Sequence, residues 1–267
     1  MNICVCIKQV PDTNEIKVDP VTHTLVRKGV PSIVNPFDTY AQEVGVRLKE
    51  KLGGKVIVIS MGPEQAKEAI KTCLSVGADA GYLISSRKFG GSDTLATSYI
   101  LSEAIKAVEE KEGLKFDLIL CGKQAVDGDT AQVGPEIAEH LGLPVISYAQ
   151  NIKIEGENVI VERQFDDRYH VLKAKMPCLI TALAELNEPR YMTPGGIFDA
   201  CKAEITTWGR ADLKDVDDSN LGLKGSPTKI AKASDKVRKG AGEKIVPDSP
   251  EDGAAYIVAK FKEKHII

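Results

Sequence analysis

Residues 116–144 read FDLILCGKQAVDGDTAQVGPEIAEHLGLP. The apolar run at 116–121 is followed by a glycine and a polar loop at 123–129, and then by a helix-like segment that ends in Gly-Leu-Pro at 142–144. A buried strand, a glycine-containing turn and a helix N-terminus form an anion site in many α/β proteins, because the free N–H groups and the helix dipole favour negative charge. This stretch therefore predicts a strand–loop–helix unit with a phosphate-type site in its loop.

The same alternation of apolar runs and amphipathic segments precedes this stretch. Further buried strands are predicted at residues 2–8, 55–60 and 81–85, and helices are predicted to start at Asn35, after residue 63 and at Asp93. Apolar strands separated by helices are typical of a parallel sheet that is covered on both faces, with right-handed crossovers. The fold class predicted is α/β, a mostly parallel open sheet with helices on both faces.

The alternation of predicted strands and helices ends at residue 144. Strands at 147–154, 158–165 and 169–175 are joined by tight polar turns, which predicts an antiparallel meander before a last apolar strand at 177–183. Residues 9–29 predict a surface hairpin or excursion. From Trp208 the chain is charged, with a final helix at 254–261. We predict an α/β nucleotide-binding domain at 1–207 and an extended C-terminal arm at 208–267 that lies on a partner, because a structureless segment this long is uncommon inside a domain.

Composition excludes several classes of function. A net charge of −3 argues against a nucleic-acid surface, and no apolar run is long enough to span a membrane. The six cysteines show no CxxC or Cys/His spacing, so free thiols of a reducing cytoplasm are predicted, without a metal site. The GxGxxG, GxxxxGK[ST], GxSxG and HExxH patterns are all missing, which disfavours an ordinary dinucleotide fold, a phosphate-loop enzyme, and hydrolytic or zinc chemistry.

Three strand-to-helix junctions remain as the candidate site, at residues 35–38, 60–63 and 122–134. In an open α/β sheet such junctions gather at the carboxyl edge of the strands, where ligands bind. In the third junction Thr130 and Gln132 can donate to a phosphate, whereas the two aspartates of the loop would repel it and suit a ribose, a helix cap or a loop tether. The alternative is a capped helix after an ordinary loop. Asn35 at the N-cap, Pro36 at N1 and Asp38 at N3 also suit a helix start that needs no ligand.

Five ordered blocks and one stretch in the tail make a family resemblance specific. They are VCIKQVPD (5–12), NPFD (35–38), VIVISMGP (56–63), CGKQAVDGDTAQVGP (121–135), LNEPRYMTP (186–194) and LKGSPT (223–228). In this order they resemble the β subunit of electron transfer flavoproteins over essentially the full chain. The resemblance implies an adenine-nucleotide alpha-hydrolase-like fold and a heterodimer with an FAD-carrying α subunit. The nucleotide pocket of the β subunit holds AMP in the housekeeping type, or a second FAD that takes hydride from NADH in the electron-bifurcating type.

By that resemblance two groups of residues are assigned to sites. The implied pocket comprises Cys6, Asn35, Pro36, Phe37, Asp38, Met61, Gly122, Lys123, Gln124, Ala125, Val126, Asp127, Gly128, Asp129, Thr130, Ala131, Gln132, Val133 and Gly134. The implied partner-docking residues are Tyr191, Thr193, Pro194, Gly195 and Gly196. No catalytic acid or base and no metal ligand is implied.

The sequence departs from the housekeeping pattern toward the bifurcating one. Gly128 and Ala131 leave room for a ligand larger than AMP, and Thr193 is followed by Pro-Gly-Gly where housekeeping members have a leucine. The resulting interpretation is an FAD-binding β subunit that passes electrons from NADH to ferredoxin and, through the α-subunit FAD, to a lactate or an acyl- or enoyl-CoA dehydrogenase. An AMP-binding passive carrier is the alternative, and a stand-alone nucleotide-binding regulator is a third possibility from another class.

Two expectations follow for variants of the chain. Deleting residues 209–267 is expected to break the heterodimer while the sheet stays folded. Asp38→Ala is expected to weaken NADH use more than stability, because an aspartate at N3 contributes only about 0.3–1 kcal/mol to its helix.

Overall fold

A computed structural model describes residues 1–12, 31–228 and 240–267, and these residues form two compact units. The first unit contains residues 1–12 and 31–228, and the second contains residues 240–267. The strands are β1 (Asn2–Ile7), β2 (Gln9–Pro11), β3 (Ser32–Val34), β4 (Lys55–Met61), β5 (Ala80–Ile84), β6 (Leu118–Gly122), β7 (Val145–Glu155), β8 (Asn158–Gln164), β9 (Tyr169–Lys175), β10 (Cys178–Ala182) and β11 (Thr206–Trp208). The helices are α1 (Pro36–Leu52), α2 (Lys67–Ser75), α3 (Thr94–Glu112), α4 (Val133–Leu141), α5 (Pro194–Lys202), α6 (Gly222–Gly225) and α7 (Pro250–Glu263).

The main sheet has the strand order β11-β5-β4-β1-β6-β10-β7-β8-β9. From β1 the chain moves outward through α1 to β4 and through α2 to β5, and α3 then carries it back across to β6 on the other side of β1. Both neighbours of β1 are parallel to it. The direction of winding therefore reverses between β1 and β6, and the crevice at the carboxyl ends of these two strands is where open α/β sheets bind ligands.

Alternate residues of the central strands face two separate cores. Ile3 and Val5 of β1 pack on the side of α1 and α2, whereas Cys4 and Cys6 pack on the side of α3 and α4. Both faces are thus covered, which explains why these strands read as continuous apolar runs in the sequence. The predicted parallel open sheet is confirmed.

The predicted meander is also confirmed, with one difference in its first strand. β7 begins at Val145, where it pairs in parallel with β10, and from Ala149 onward it pairs antiparallel with β8. β8 and β9 are antiparallel as well. The strand starts two residues before the predicted residue 147, because its first residues belong to the parallel sheet.

The excursion predicted at residues 9–29 is described only at its base. Strand β2 pairs antiparallel with β3, from Gln9 opposite Val34 to Pro11 opposite Ser32. The remainder of the predicted excursion lies outside the described residues.

The boundary predicted after residue 207 lies inside the first unit. β11 adds a parallel edge strand beside β5, and Trp208 stacks on Tyr82 with ring centroids 4.9 Å apart. Leu213, Val216 and Leu221 are buried in the core beneath α3. The surrounding sequence is rich in charged residues, so its composition alone did not predict a packed segment. The three apolar side chains are nevertheless buried against this face of the unit. The described α/β unit therefore continues to residue 228.

The second unit contains the predicted terminal helix. α7 starts at Pro250, after Ser249, whose hydroxyl accepts from the Asp252 N–H at 3.1 Å. Its apolar side chains Ile257, Val258 and Phe261 are exposed. Within the ranges given above, no helix is long and apolar enough to cross a membrane.

Candidate functional site

The crevice between β1 and β6 has a floor of neighbouring side chains at the ends of three strands. Cys6 of β1 is in register with Cys121 of β6 on one side and with Ile59 of β4 on the other, and Met61 ends β4. Cys6 and Cys121 are buried, while Met61 is partly exposed and packs against the α3-side core. The junctions at 35–38 and 122–134 flank this floor, so the structure brings the predicted pocket residues to one sheet edge.

Asn35 occupies the N-cap position of α1 but makes no side-chain capping bond. Its Nδ2 donates to the Gln124 carbonyl at 2.8 Å, and its Oδ1 accepts from the Val126 N–H at 3.0 Å. The side chain is buried. Its amide both donates to and accepts from backbone groups of the loop after β6, and so holds that loop in place. The capping role expected from the sequence is thus replaced by a tether between two junctions.

Asp38 joins three elements through its carboxylate. Oδ2 accepts from the Lys8 N–H at 2.7 Å, just after β1, and Oδ1 accepts from the Gly122 N–H at 3.1 Å, at the end of β6. The residue itself belongs to the first turn of α1 and is buried. Since both oxygens are engaged by backbone groups at the ends of the two switch-point strands, Asp38 is a positioning residue for the crevice as well as the N3 residue of α1.

The three glycines of the third junction differ in how much space surrounds them. A Cβ on Gly122 would lie 2.4 Å from Asp38 Oδ1, and a Cβ on Gly134 would lie 2.8 Å from the Thr181 methyl group, so these two residues allow close packing. A Cβ on Gly128 would have no neighbouring atom within 4 Å. Only Gly128 therefore leaves open space at the surface of the loop.

The acidic residues of the loop act as tethers. Asp127, whose side chain is 5% exposed, pairs with Lys8 Nζ at 2.6 Å. Gln124 Nε2 donates to Asp129 Oδ1 at 2.7 Å, and the Asp129 N–H donates to the Ala125 carbonyl at 2.9 Å. These contacts support the loop-holding role, one of the alternatives that the sequence left open.

The outer rim of the loop carries the groups that remain available. Gly128, Thr130 and Gln132 are exposed, and Ala131 adopts a left-handed conformation with φ of 54°. The rim leads into α4, which begins at Val133 and has no side-chain cap from Gln132. Uncapped first-turn N–H groups beside a hydroxyl and an amide form an arrangement that can bind a phosphate or diphosphate.

A second helix start, predicted at Asp93, lies beside this rim, and its place next to the candidate site was not predicted. Asp93 caps α3 by accepting from the Ala96 N–H at 3.1 Å, and it also accepts from the Thr228 N–H at 3.0 Å. The Thr94 hydroxyl donates to Glu136 of α4 at 3.1 Å, which ties the two helix starts together. The Asp-Thr pair predicts this helix start locally, whereas the contacts with Thr228 and Glu136 depend on the tertiary structure.

Lys123 follows the end of β6 and lies near two aromatic rings. Its Nζ is 6.0 Å from the Phe37 ring centroid and 5.4 Å from the Tyr148 ring centroid. Tyr148 has a left-handed φ of 62°, and its N–H donates to the Thr181 hydroxyl at 3.0 Å. A cation–π arrangement holds this ammonium group beside the junction at 35–38.

The predicted docking residues form the start of α5. The Thr193 hydroxyl caps the helix by accepting from the Gly196 N–H at 3.0 Å, and Pro194 is its first residue. Tyr191 is 93% exposed. The apolar side chains of Met192, Ile197 and Phe198, which the sequence analysis did not assign, are exposed as well. Tyr191, Met192, Ile197 and Phe198 are called the apolar docking surface below.

Burial raises the pKa of Asp38 to about 7, and hydrogen bonds from Asn35, the Lys8 N–H and the Gly122 N–H oppose that rise only in part. Between about pH 4 and pH 7 the folded chain therefore keeps a proton that the unfolded chain has lost. Because the native state then binds more protons than the unfolded state, this group makes stability fall as pH rises through that window.

We expect wild type to lose melting temperature relative to Asp38→Asn as pH rises from 4.5 to 7.5, because asparagine does not titrate. The amount by which the wild-type melting temperature exceeds that of Asp38→Asn should therefore become smaller. Thermal unfolding of the two chains in complex with their partner subunit, measured at several pH values, checks this. Asp218→Asn is the control, since hydrogen bonds from Lys88 and Arg210 hold the pKa of Asp218 at about 2, below that window. A difference for Asp38→Asn that does not change with pH would contradict the prediction.

Comparison with known proteins agrees with this geometry. Residues 22–213 match the family model described as "Electron transfer flavoprotein domain". The chain is 51% identical over 268 residues to the electron transfer flavoprotein subunit beta of Clostridium acetobutylicum, and 49% identical over 268 residues to the caffeyl-CoA reductase-Etf complex subunit CarD of Acetobacterium woodii. It is 42% identical over 273 residues to the acryloyl-CoA reductase electron transfer subunit gamma of Anaerotignum propionicum. In all three comparisons 100% of both chains is covered. The chain therefore belongs to the electron transfer flavoprotein β-subunit family.

Proposed function

We propose that this β subunit binds FAD in the crevice between β1 and β6, and that the FAD accepts hydride from NADH. When bound, the flavin would supply the redox chemistry: it would take hydride from NADH and pass one of the two electrons to ferredoxin and the other, through the α-subunit FAD, to a partner dehydrogenase. The observation that carries the proposal is the open space at Gly128, on a loop whose acidic side chains are already engaged.

The residues present fit a dinucleotide with a diphosphate. The first-turn N–H groups of α4, with the Thr130 hydroxyl and the Gln132 amide, would hold the diphosphate, because they supply donors and a helix dipole. The negative charge of Asp127 is countered by Lys8 at 2.6 Å, which reduces its repulsion of a phosphate. Cys6 and Met61 provide the floor of the crevice.

Other residues of this chain position the site. Asn35 and Asp38 fix the loop and the two strand ends by hydrogen bonds to backbone groups. None of these residues is placed to act as a general acid or base. The role of the protein is to bind and orient the flavin.

A flavin count on the complex with the α subunit tests the proposal. We expect about two FAD per heterodimer after acid extraction, and reduction of the flavin by NADH. One FAD and one AMP per heterodimer, with no NADH oxidation, would contradict the proposal and identify the AMP-binding passive carrier.

Gly128→Val sharpens this test, because a Cβ at this position has no protein atom within 4 Å and the added side chain would extend into the open space. We expect the count to fall to about one FAD per heterodimer with little change in melting temperature. Gly240→Val is the matched control, since a Cβ at Gly240 also meets nothing within 4 Å and the residue lies outside the α/β unit. An unchanged flavin count in Gly128→Val would place the cofactor elsewhere.

The apolar docking surface is proposed to receive a flavin dehydrogenase of the lactate or the acyl- or enoyl-CoA type. Two relatives are named as parts of CoA-ester reductase complexes, which supports the CoA-linked class. Its four exposed apolar side chains form two pairs, one just before α5 and one in its first turns. We further propose that the heterodimer works in the cytoplasm, which the six free cysteines support.

A further inference from the structure

The segment that leads to the apolar docking surface is held by side chains. In the part of the chain that the structure describes, residues 187–192 form no hydrogen bond between backbone groups. Asn187 Nδ2 donates instead to the Tyr40 carbonyl at 2.9 Å, and Arg47 Nη2 donates to the Glu188 carbonyl at 2.9 Å. Both contacts attach the segment to α1.

Arg190 makes the most extensive of these attachments. Its N–H and its Nε both donate to Glu43 Oε2, at 3.1 and 2.9 Å. Its Nη1 and Nη2 donate to the two oxygens of Glu50, at 2.5 and 2.9 Å. Glu43 and Glu50 lie two turns apart on one face of α1, so a single guanidinium group spans both carboxylates.

Glu43 cannot easily lose this partner. Its side chain is only 3% exposed, and hydrogen bonds from Arg190 and Arg47 outweigh burial, so that the pKa of Glu43 lies below its ordinary value. A buried carboxylate that loses its cation is strongly unfavourable, because desolvation is then uncompensated. The arginine is therefore fixed in its place on α1.

The two ends of the docking surface are supported differently. The α5 end rests on α2, where a Cβ on Gly196 would lie 2.2 Å from the Ser75 carbonyl oxygen. The other end begins at Tyr191, which is highly exposed and directly follows Arg190. The orientation of Tyr191 and Met192 thus depends on the attachment of Arg190 to α1.

We infer that Arg190, held by Glu43 and Glu50, is a positioning residue that presents Tyr191 and Met192 to the partner dehydrogenase. This inference rests on the proposed function of the apolar docking surface. It assigns to the ion cluster on α1 a role in partner recognition.

Chymotrypsin cleavage after Tyr191 in the heterodimer tests the attachment. We expect Arg190→Ala to raise the cleavage rate about tenfold, because proteolysis reports local opening of the segment. Arg190→Lys should lie between wild type and Arg190→Ala, since an ammonium group cannot span both carboxylates. Arg168→Ala is the matched control, because Arg168 also makes a bidentate pair, with the exposed Asp167, at 2.8 and 2.7 Å.

Binding of a purified short-chain acyl-CoA dehydrogenase to the same heterodimers tests the consequence. We expect Arg190→Ala to raise the apparent Kd about tenfold, with unchanged flavin content, because the surface is no longer pre-organised. An unchanged cleavage rate would overturn the inference. So would faster cleavage with wild-type affinity, provided that Tyr191→Ala weakens binding. If Tyr191→Ala binds as wild type does, the docking function of the surface is refuted, whereas the cleavage rates still report whether Arg190 holds the segment.

Discussion

Asp38→Ala is expected to lower the free energy of unfolding by about 2–5 kcal/mol, because two buried backbone N–H groups lose their acceptor. These are the N–H groups of Lys8 and Gly122, at the ends of the two strands that border the crevice. For a chain of this size the loss corresponds to a fall in melting temperature of about 5–15 °C. This reverses the expectation from the N3 position, which assigned the larger effect to NADH use.

Thermal unfolding of the complex with the α subunit measures the effect. Glu68→Ala is the matched control, because Glu68 is a carboxylate in the first turn of α2 whose side chain pairs with Lys71 at 2.8 Å. A loss for Asp38→Ala no greater than that for Glu68→Ala would show that the carboxylate acts only on the helix dipole. We also expect flavin content to fall with stability, since both strand ends and the loop shift together.

Removal of residues 209–267 is expected to unfold the α/β unit, whereas removal of residues 240–267 leaves it folded. The longer deletion takes away Leu213, Val216 and Leu221, which are buried beneath α3. Each of these side chains contributes about 1.5–3 kcal/mol through burial, so the total approaches the whole stability of an ordinary domain. The shorter deletion removes only the second unit, which contains α7.

Two measurements on the truncated chains separate loss of folding from loss of the partner. Circular dichroism melting reports whether the α/β unit is folded, and co-purification reports whether the α subunit is bound. The shorter deletion should keep a cooperative transition and lose the α subunit, in line with the proposal that the C-terminal arm contacts that partner. A cooperative transition in the chain that ends at residue 208 would contradict the packing of Leu213–Leu221. Retention of the α subunit after the shorter deletion would contradict the role of the arm.

Much of the architecture could be predicted because it depends on local pattern. Apolar runs such as residues 116–121 are buried on both faces, and the helices between them have recognisable starts at Pro36 and Asp93. The polar turns after residue 154 likewise predicted the antiparallel strands. In each case the signal lies within a few residues of the element that it specifies.

The roles of several site residues could not be predicted, because their partners are distant in the chain. Asp38 is 84 residues from Gly122, Asn35 is 89 residues from Gln124, and Arg190 is 147 residues from Glu43. Local reasoning assigned Asn35 and Asp38 to helix capping and did not identify Arg190. Leu213, Val216 and Leu221 were assigned to an arm for a similar reason, since their neighbours on α3 come more than a hundred residues earlier.

The sequence by itself determined the alternation of strands and helices, the order of the blocks that mark the family, and the small residues of the loop at 126–135. These properties are specified by local sequence patterns, namely the spacing of apolar residues, the residues at helix starts and residue size. The tertiary structure alone decided that Asp38 joins the ends of β1 and β6, that Asp127 and Asp129 are tethers, and that residues 206–228 complete the α/β unit. The physical reason is that hydrogen-bond partners and core neighbours are set by which strands lie side by side, and the winding reverses between β1 and β6.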